Sequence, residues 1–280
     1  MPVVGYQGHA GAFSDVAARE LVSDAQTRGY ASFDAVAEAV TAGEVEYGVL
    51  PVENAIAGPV PRNYELLWEH PSLRIRGETT LAIELCLIGI EGAEVDRIRE
   101  IRSHPVALEQ VRRYIDRYGW QRSTTTDTAG AVREIVVLGD PTVAAIGPAL
   151  AATVHGGTIL ARAVQDETEN YTRFFLLARD DASRLDDVPS REDANAPGGG
   201  ATGGTRACVG IAVEDRPGSL RDALSAFADR DIDLRFLIAR PDRRIPFRYR
   251  FFVELLNVDG PRLDAALTDI GGEQRILGRY

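Results

Sequence analysis

The chain has 280 residues, 45% hydrophobic and 26% charged, the balance of an ordinary globular protein long enough for two or three cored units. A formal net charge of −11 argues against general nucleic-acid binding, which needs a basic footprint, but allows a small anion held by a local arginine. All 31 basic residues are arginine, so Schiff-base lysine chemistry and a P-loop lysine are excluded.

No apolar run approaches the ~20 residues that cross a bilayer, so no membrane segment is expected. Met1 to Tyr6 reads as a first strand and not as a signal peptide. Cys86 and Cys208 lie in apolar runs and are expected to be buried free thiols, which points to the cytoplasm and to no disulfide framework.

In chain order, Val3 to Tyr6 reads as a strand and Ser14 to Leu21 as a helix capped by Ser14. Ser32 caps a helix from Phe33 to Thr41. Tyr47 to Pro51 and Leu81 to Ile88 are apolar strands, and the stretch between Asn54 and Gly77 reads as a crossing to a second lobe. Ser103 opens a helix through Tyr118, and Asp127 or Thr128 opens one through Leu138. Val143 to Ile146 is a strand, Pro148 to Val154 a helix, and Phe174 to Leu177 a strand. Alternating β and α units argue an α/β fold with parallel sheets and a cleft between lobes. Asp180 to Gly204 is acidic and rich in Gly without period, the mark of a linker. The division is therefore 1–180, a linker over 181–205, and 206–280. The last part reads Ala207 to Val213 strand, Ser219 to Arg230 helix, Asp233 to Ala239 and Arg248 to Leu255 strands, Arg262 to Asp269 helix and Arg275 to Leu277 strand. That is βαββαβ, the ferredoxin-like order.

Four polar segments are candidates for chemistry. Gly5 to Ser14 joins a strand to a helix, and its glycines, Gly8 and Gly11 among them, suit an anion cradle of backbone amides. Glu53 and Asn54 end an apolar strand, where function usually sits in an α/β sheet. Ser103 and Gln110, seven apart, share a helix face and would point into one cleft. Thr172, Arg173 and Phe174 open a strand; a hydroxyl beside a guanidinium suits an anionic substrate that must be held and given a proton. Four scattered histidines give no metal spacing, and neither a G-x-S-x-G elbow nor a dinucleotide fingerprint is present.

Taken in order, the Gly5–Ser14 loop, Glu53-Asn54 with Gly58, Ser103-His104-Pro105 with Gln110, Asp127-Thr128-Ala129 and Asn170-x-Thr172-Arg173-Phe174 resemble the prephenate dehydratase family over nearly the whole chain. The resemblance implies a two-lobed catalytic domain of the type II periplasmic-binding-protein kind and a C-terminal ACT domain that senses phenylalanine. It implies a lyase that turns prephenate into phenylpyruvate in phenylalanine biosynthesis, in a homodimer or homotetramer, with no metal or other cofactor. In that light Thr172, Asn54, Ser103 and Gln110 are the expected catalytic set. Gly8, Gly11, Glu53, Arg173, Phe174 and Thr128 are expected at the substrate. Gly218, Ser219, Leu220, Arg240 and Pro241 are expected at the effector.

Arg62-Asn63-Tyr64 resembles the arogenate dehydratase branch, so the substrate stays open between prephenate and arogenate. No chorismate mutase segment precedes, which suggests the monofunctional form. Ala55 stands where the family often has Ser or Thr, and Val106 replaces a frequent glutamine. Ile238-Ala239-Arg240-Pro241 replaces a usual Glu-Ser-Arg-Pro, so weakened phenylalanine control is expected. A non-catalytic binding protein on the same scaffold is the competing reading; an α/β hydrolase or a dehydrogenase lacks its nucleophile or its glycines.

Overall fold

The computed structural model describes residues 1–181 and 205–280, so the expected linker lies outside the described residues except for its two ends. The first lobe contains β1 (Val3–Gln7), α1 (Phe13–Leu21), β2 (Gln26–Tyr30), α2 (Phe33–Ala42), β3 (Tyr47–Asn54), β4 (Gly58–Pro59), α3 (Pro61–Glu69) and β5 (Leu73–Ala82). The chain then builds a second lobe. Its elements are β6 (Cys86–Gly89), β7 (Glu100–Ser103), α4 (Pro105–Gln110), α5 (Arg112–Tyr118), β8 (Gln121–Thr124), α6 (Thr128–Leu138), β9 (Val143–Gly147), α7 (Ala149–His155) and β10 (Thr158–Ala161). It returns as β11 (Tyr171–Arg179), which runs antiparallel between β3 and β5.

The expected crossing between Asn54 and Gly77 is corrected: the chain leaves the first lobe after Ala82. The two connections are bonded to each other, with Ile83 N donating to Asn170 O at 2.8 Å and Val164 N to Leu85 O at 2.9 Å. The second lobe is a separate sheet in the order β10-β6-β9-β7-β8.

Several local expectations also change. Ser32 caps α2 as expected, its Oγ accepting from Ala35 N, and Asp127 caps α6. Ser14 does not cap α1; it lies buried inside the first turn, where neighbouring Asp15 accepts from Gly11 N. Ser103 does not open a helix either. It ends β7, the cap is His104, and the expected single helix to Tyr118 breaks at Val111 into α4 and α5. The expected strand Leu81 to Ile88 splits around residues 83–85. Strands β2, β7, β8 and β10 are not expected from the sequence because they are short and polar or broken, which hides a period of two.

The C-terminal part follows the expected order: β12 (Ala207–Ala212), α8 (Ser219–Ala228), β13 (Asp233–Pro241), β14 (Tyr249–Leu256), α9 (Gly260–Ile270) and β15 (Glu273–Arg279). Both helices cover one sheet face, with Phe227, Leu263 and Leu267 on Val209, Ile211 and Val253. The opposite face, through Cys208 and Phe252, packs on α3, whose Tyr64, Leu66, Leu67 and Trp68 are buried. The segment that looked like a crossing is therefore a helix shared by the two parts. Both cysteines are free and buried. Among the described residues no helix is long and apolar enough to cross a membrane.

One strand contact merges the parts into a single ten-stranded sheet, β15 lying parallel to β5 where Gly278 registers with Ile75. A Cβ at 278 would stand 2.5 Å from Ile75 Cβ and 2.6 Å from Ile75 O, so only glycine permits this approach. Gly278→Val should cost about 1–3 kcal/mol of stability by overpacking the junction. Denaturant unfolding checks this, and an unchanged midpoint would show that the junction is not under tight contact.

Candidate active site

The register of β11 on β3 pairs Thr172 with Asn54 and Arg173 with Glu53. Successive side chains of a strand point to opposite faces, so this two-residue ladder separates two environments. One face carries an amide and a hydroxyl; the other carries charges.

On the first face Asn54 Nδ2 donates to Asn170 Oδ1 at 2.8 Å and Thr172 Oγ1 at 2.9 Å, with Tyr171 O at 3.1 Å sharing it. Asn54 Oδ1 accepts from Ile56 N and Ala57 N, which fixes which end of the amide is which. Thr172 Oγ1 thus accepts from Asn54, and its own proton remains available to another acceptor. Asn170 is 1% exposed, and its Nδ2 is buried without a hydrogen-bond partner, a second donor beside the pair. Asn170 falls outside the expected catalytic set, although it stands in the Asn170-x-Thr172 motif. A donor two residues before Thr172 on the same side of the chain was the available signal.

On the opposite face Arg173 is enclosed, with 7% of its side chain exposed. Nε donates to Glu53 at 3.0 Å, one terminal nitrogen to Glu78 at 3.0 Å, and the other to both oxygens of Glu254 at 2.9 and 2.8 Å. Burial works against the charge, yet the pull and hydrogen bonds of Glu254 outweigh it and hold the guanidinium above its ordinary value. Arg206 and Arg235 also reach Glu78, and Tyr64 Oη donates to Glu254 at 2.5 Å. Burial, reinforced by the charge of Glu254, pushes the Tyr64 phenol far up, so it stays a neutral donor. The expectation that Arg173 balances a substrate carboxylate is therefore corrected: its nitrogens are committed to protein carboxylates. Glu53 serves Arg173 in the same way. Phe174 is 2% exposed and belongs to the core beside Val49 and Leu176, not to a substrate surface.

The Gly5–Ser14 loop also differs from expectation. Gly8 N donates to Tyr30 O and Gly11 N to buried Asp15, so neither amide is open to an anion. Gly11, at φ +87°, is held against α7, where an added Cβ would fall 2.6 Å from Ala151 Cα. The loop instead ties the lobes: His9 Nδ1 meets Asp127 Oδ2 at 2.6 Å, and His155 Nε2 meets Ala10 O at 2.7 Å. Thr128 is half-buried in the first turn of α6 beside that tie.

Ser103 is fully buried and donates to Ile146 O at 2.7 Å, so the expected shared face with Gln110 is not formed. Gln110 is half-buried at the end of α4, where its carbonyl accepts from Asp166 N at 2.7 Å. In the C-terminal part Gly218, at φ +85°, precedes the first turn of α8 with Ser219 and Leu220. Arg240 Nε donates to Glu65 of α3 at 2.5 Å, and Pro241 is exposed.

This fold finds close counterparts among known proteins. The family model described as prephenate dehydratase matches residues 4–182, and that of the ACT domain matches residues 209–267. A relative from Arabidopsis thaliana, arogenate dehydratase/prephenate dehydratase 2, is 34% identical over 95% of this chain, and the chain spans 66% of that relative's length. A solved structure described as GqqA, a novel type of quorum quenching acylases, is 31% identical with a TM-score of 0.86, over 99% of this chain and 97% of that one. A prephenate dehydratase from Arthrobacter aurescens in complex with L-Phe is 27% identical with a TM-score of 0.84, over 99% and 89% of the two chains. The chain belongs to the prephenate dehydratase family and carries a C-terminal ACT domain.

Proposed function

We propose that this chain is a prephenate dehydratase, a carbon–oxygen lyase that forms phenylpyruvate. The observation that carries the reading is the Asn54–Thr172 contact, which leaves a threonine proton free to be donated where two lobes meet. In the reaction the ring hydroxyl departs with a proton as water, the ring-to-carboxylate bond breaks to release carbon dioxide, and that electron pair completes the aromatic ring. Aromatisation drives the change, so the protein need only hold the substrate and protonate the leaving oxygen. A positioned donor contributes about 10²–10⁴ in rate. Thr172 passes that proton on and regains one from solvent, Asn54 orients it, and Asn170 Nδ2 offers a further hydrogen bond. Gln110 and Thr128 orient the substrate from the second lobe, and Ser103 supports the turn before them. The reading asks for no metal and no cofactor.

Arogenate is the second candidate substrate, favoured by the plant relative's description. The Arg62-Asn63-Tyr64 run does not decide the matter, because its side chains serve packing. Arg62 pairs with Glu69 at 2.8 Å, Asn63 donates to Pro51 O at 2.6 Å, and Tyr64 donates to Glu254. An acylase reading, prompted by GqqA, finds less support: the Ser103 hydroxyl is bonded to Ile146 O, and Thr172 Oγ1 meets an amide donor, not a base.

The reading includes a catalytic part over 1–180, a linker over 181–205 and a regulatory part over 206–280. It includes a cytoplasmic setting, supported by two buried free thiols. Phenylalanine is the proposed effector at Gly218, Ser219 and Leu220. Its control is weakened because Ile238 and Ala239 bring no polar group and Arg240 is engaged with Glu65. A homodimer or homotetramer is supported by β13, a sheet edge with exposed Leu234 and Leu237 next to a hairpin bearing exposed Phe247.

The test is product formation from prephenate and from arogenate by the purified chain, with and without phenylalanine. Turnover of prephenate at the higher kcat/KM is expected, with little phenylalanine inhibition. Thr172→Ala should lower kcat by ~10² or more with a smaller change in KM. A folded wild-type chain that turns over neither substrate would overturn the reading, and a Thr172→Ala variant with wild-type kcat would remove Thr172 as donor.

A further inference from the structure

The charged face behind the Asn54–Thr172 pair is assembled from both parts of the chain. Arg173 and its partners Glu53 and Glu78 come from β11, β3 and β5, whereas Glu254 lies on β14 and Arg206 just before β12. The three guanidiniums of Arg173, Arg206 and Arg235 meet the three carboxylates of Glu53, Glu78 and Glu254. Glu254 is the one that grips Arg173 with both oxygens, and it is 2% exposed.

The grip falls where the strand pair is least regular. The β11–β3 register shifts between Arg173 and Phe174, so that ladder is broken just below Thr172 and Asn54, while β11 keeps its register with β5 from Tyr171 to Leu176. Arg173 and Glu53, paired on the Thr172–Asn54 side of the shift, also form an ion pair, and they adjoin Thr172 and Asn54 in sequence. Arg173 in turn is oriented by Glu254. Without that charge Arg173 would lean on Glu53 and Glu78 alone, and Glu78 is already shared with Arg206 and Arg235.

We propose that Glu254 of the C-terminal domain is a positioning residue for the reaction, setting the Thr172–Asn54 pair through Arg173. This rests on the dehydratase reading for its kinetic arm alone. The active site is then complete only when β14 is docked on α3 and β11. A shift of the C-terminal domain is felt at the proton donor through one buried side chain.

The experiment compares the full wild-type chain with Glu254→Gln and Glu254→Asp, at a temperature where melting curves show each fully folded. Initial rates on prephenate give kcat and KM, and deuterium uptake is followed in peptides covering 52–57 and 169–176, with β1 and β2 as internal reference. Glu254→Gln should lose about 10-fold or more in kcat with KM little changed, as expected when reacting groups are misplaced. Uptake should rise in those two segments and stay unchanged in β1 and β2. Glu254→Asp, with a shorter carboxylate, should fall between wild type and Glu254→Gln in both readouts. The proposal is overturned if Glu254→Gln keeps wild-type kcat, or if uptake rises equally throughout the sheet, the mark of plain destabilisation. Should Glu254→Gln fail to fold, Glu254→Asp decides, and wild-type kcat with wild-type uptake overturns the proposal. A wild-type chain inactive on prephenate would defeat the function reading and leave the exchange comparison to judge the positioning.

Discussion

A guanidinium with 7% of its side chain exposed must be surrounded by carboxylates, and the arrangement around Arg173 follows from that requirement. An ion removed from water without partners costs several kcal/mol, and deleting one partner of a buried pair typically costs about 3–5 kcal/mol. Glu53, Glu78 and Glu254 therefore have to converge from three strands, and Tyr64 has to approach Glu254 from α3. That convergence sets where β14 docks, and the docking buries α3 from both sides. The alternation of a strand then places the uncharged pair, Asn54 and Thr172, on the other face. The chemistry proposed for the cleft and the attachment of the C-terminal domain are two sides of one strand pair.

Much of the fold was legible because its helices and buried strands carry strong apolar patterns. The βαββαβ order of the C-terminal part and the alternation of the first 180 residues follow from those patterns. The short strand Gln26–Tyr30 has only half-buried and exposed residues, so it shows no alternation to read. The stretch expected as a crossing holds helix α3 instead, with Pro61 as a first-turn proline and Asn63 bonding back to Pro51. Asn54 and Thr172, which the structure brings into contact, were each legible as a polar residue where an apolar strand ends or begins. Arg173 was read as facing a substrate because its compensating charges are 120, 95 and 81 residues away in sequence, beyond any local pattern. Ser103 looked like a cap from its place before His104-Pro105, whereas its hydroxyl is used inside the second sheet.

The departures from the family pattern fall at informative places. At Ala55 no hydroxyl is needed to hold the turn, because Asn54 Oδ1 accepts from Ile56 and Ala57, and Ala55 N donates to Tyr171 O at 2.8 Å. The turn that carries Asn54 thus keeps its hydrogen bonds without a hydroxyl at position 55. The change to Ile238-Ala239 lies on β13, three residues after Arg235, which reaches Glu78, and neither residue adds a charge to the buried cluster. His9 with Asp127, and His155 with Ala10, tie the loop after β1 to the second lobe.

The most direct test of the central claim is a double-mutant cycle in kcat between Thr172→Ala and Glu254→Gln. If Glu254 acts through the placement of Thr172, its substitution should change kcat by less than about twofold once the hydroxyl is gone, although it is costly in the wild-type background. Fold-effects that multiply in the double variant would contradict the account, because Glu254 would then contribute independently of the proton donor.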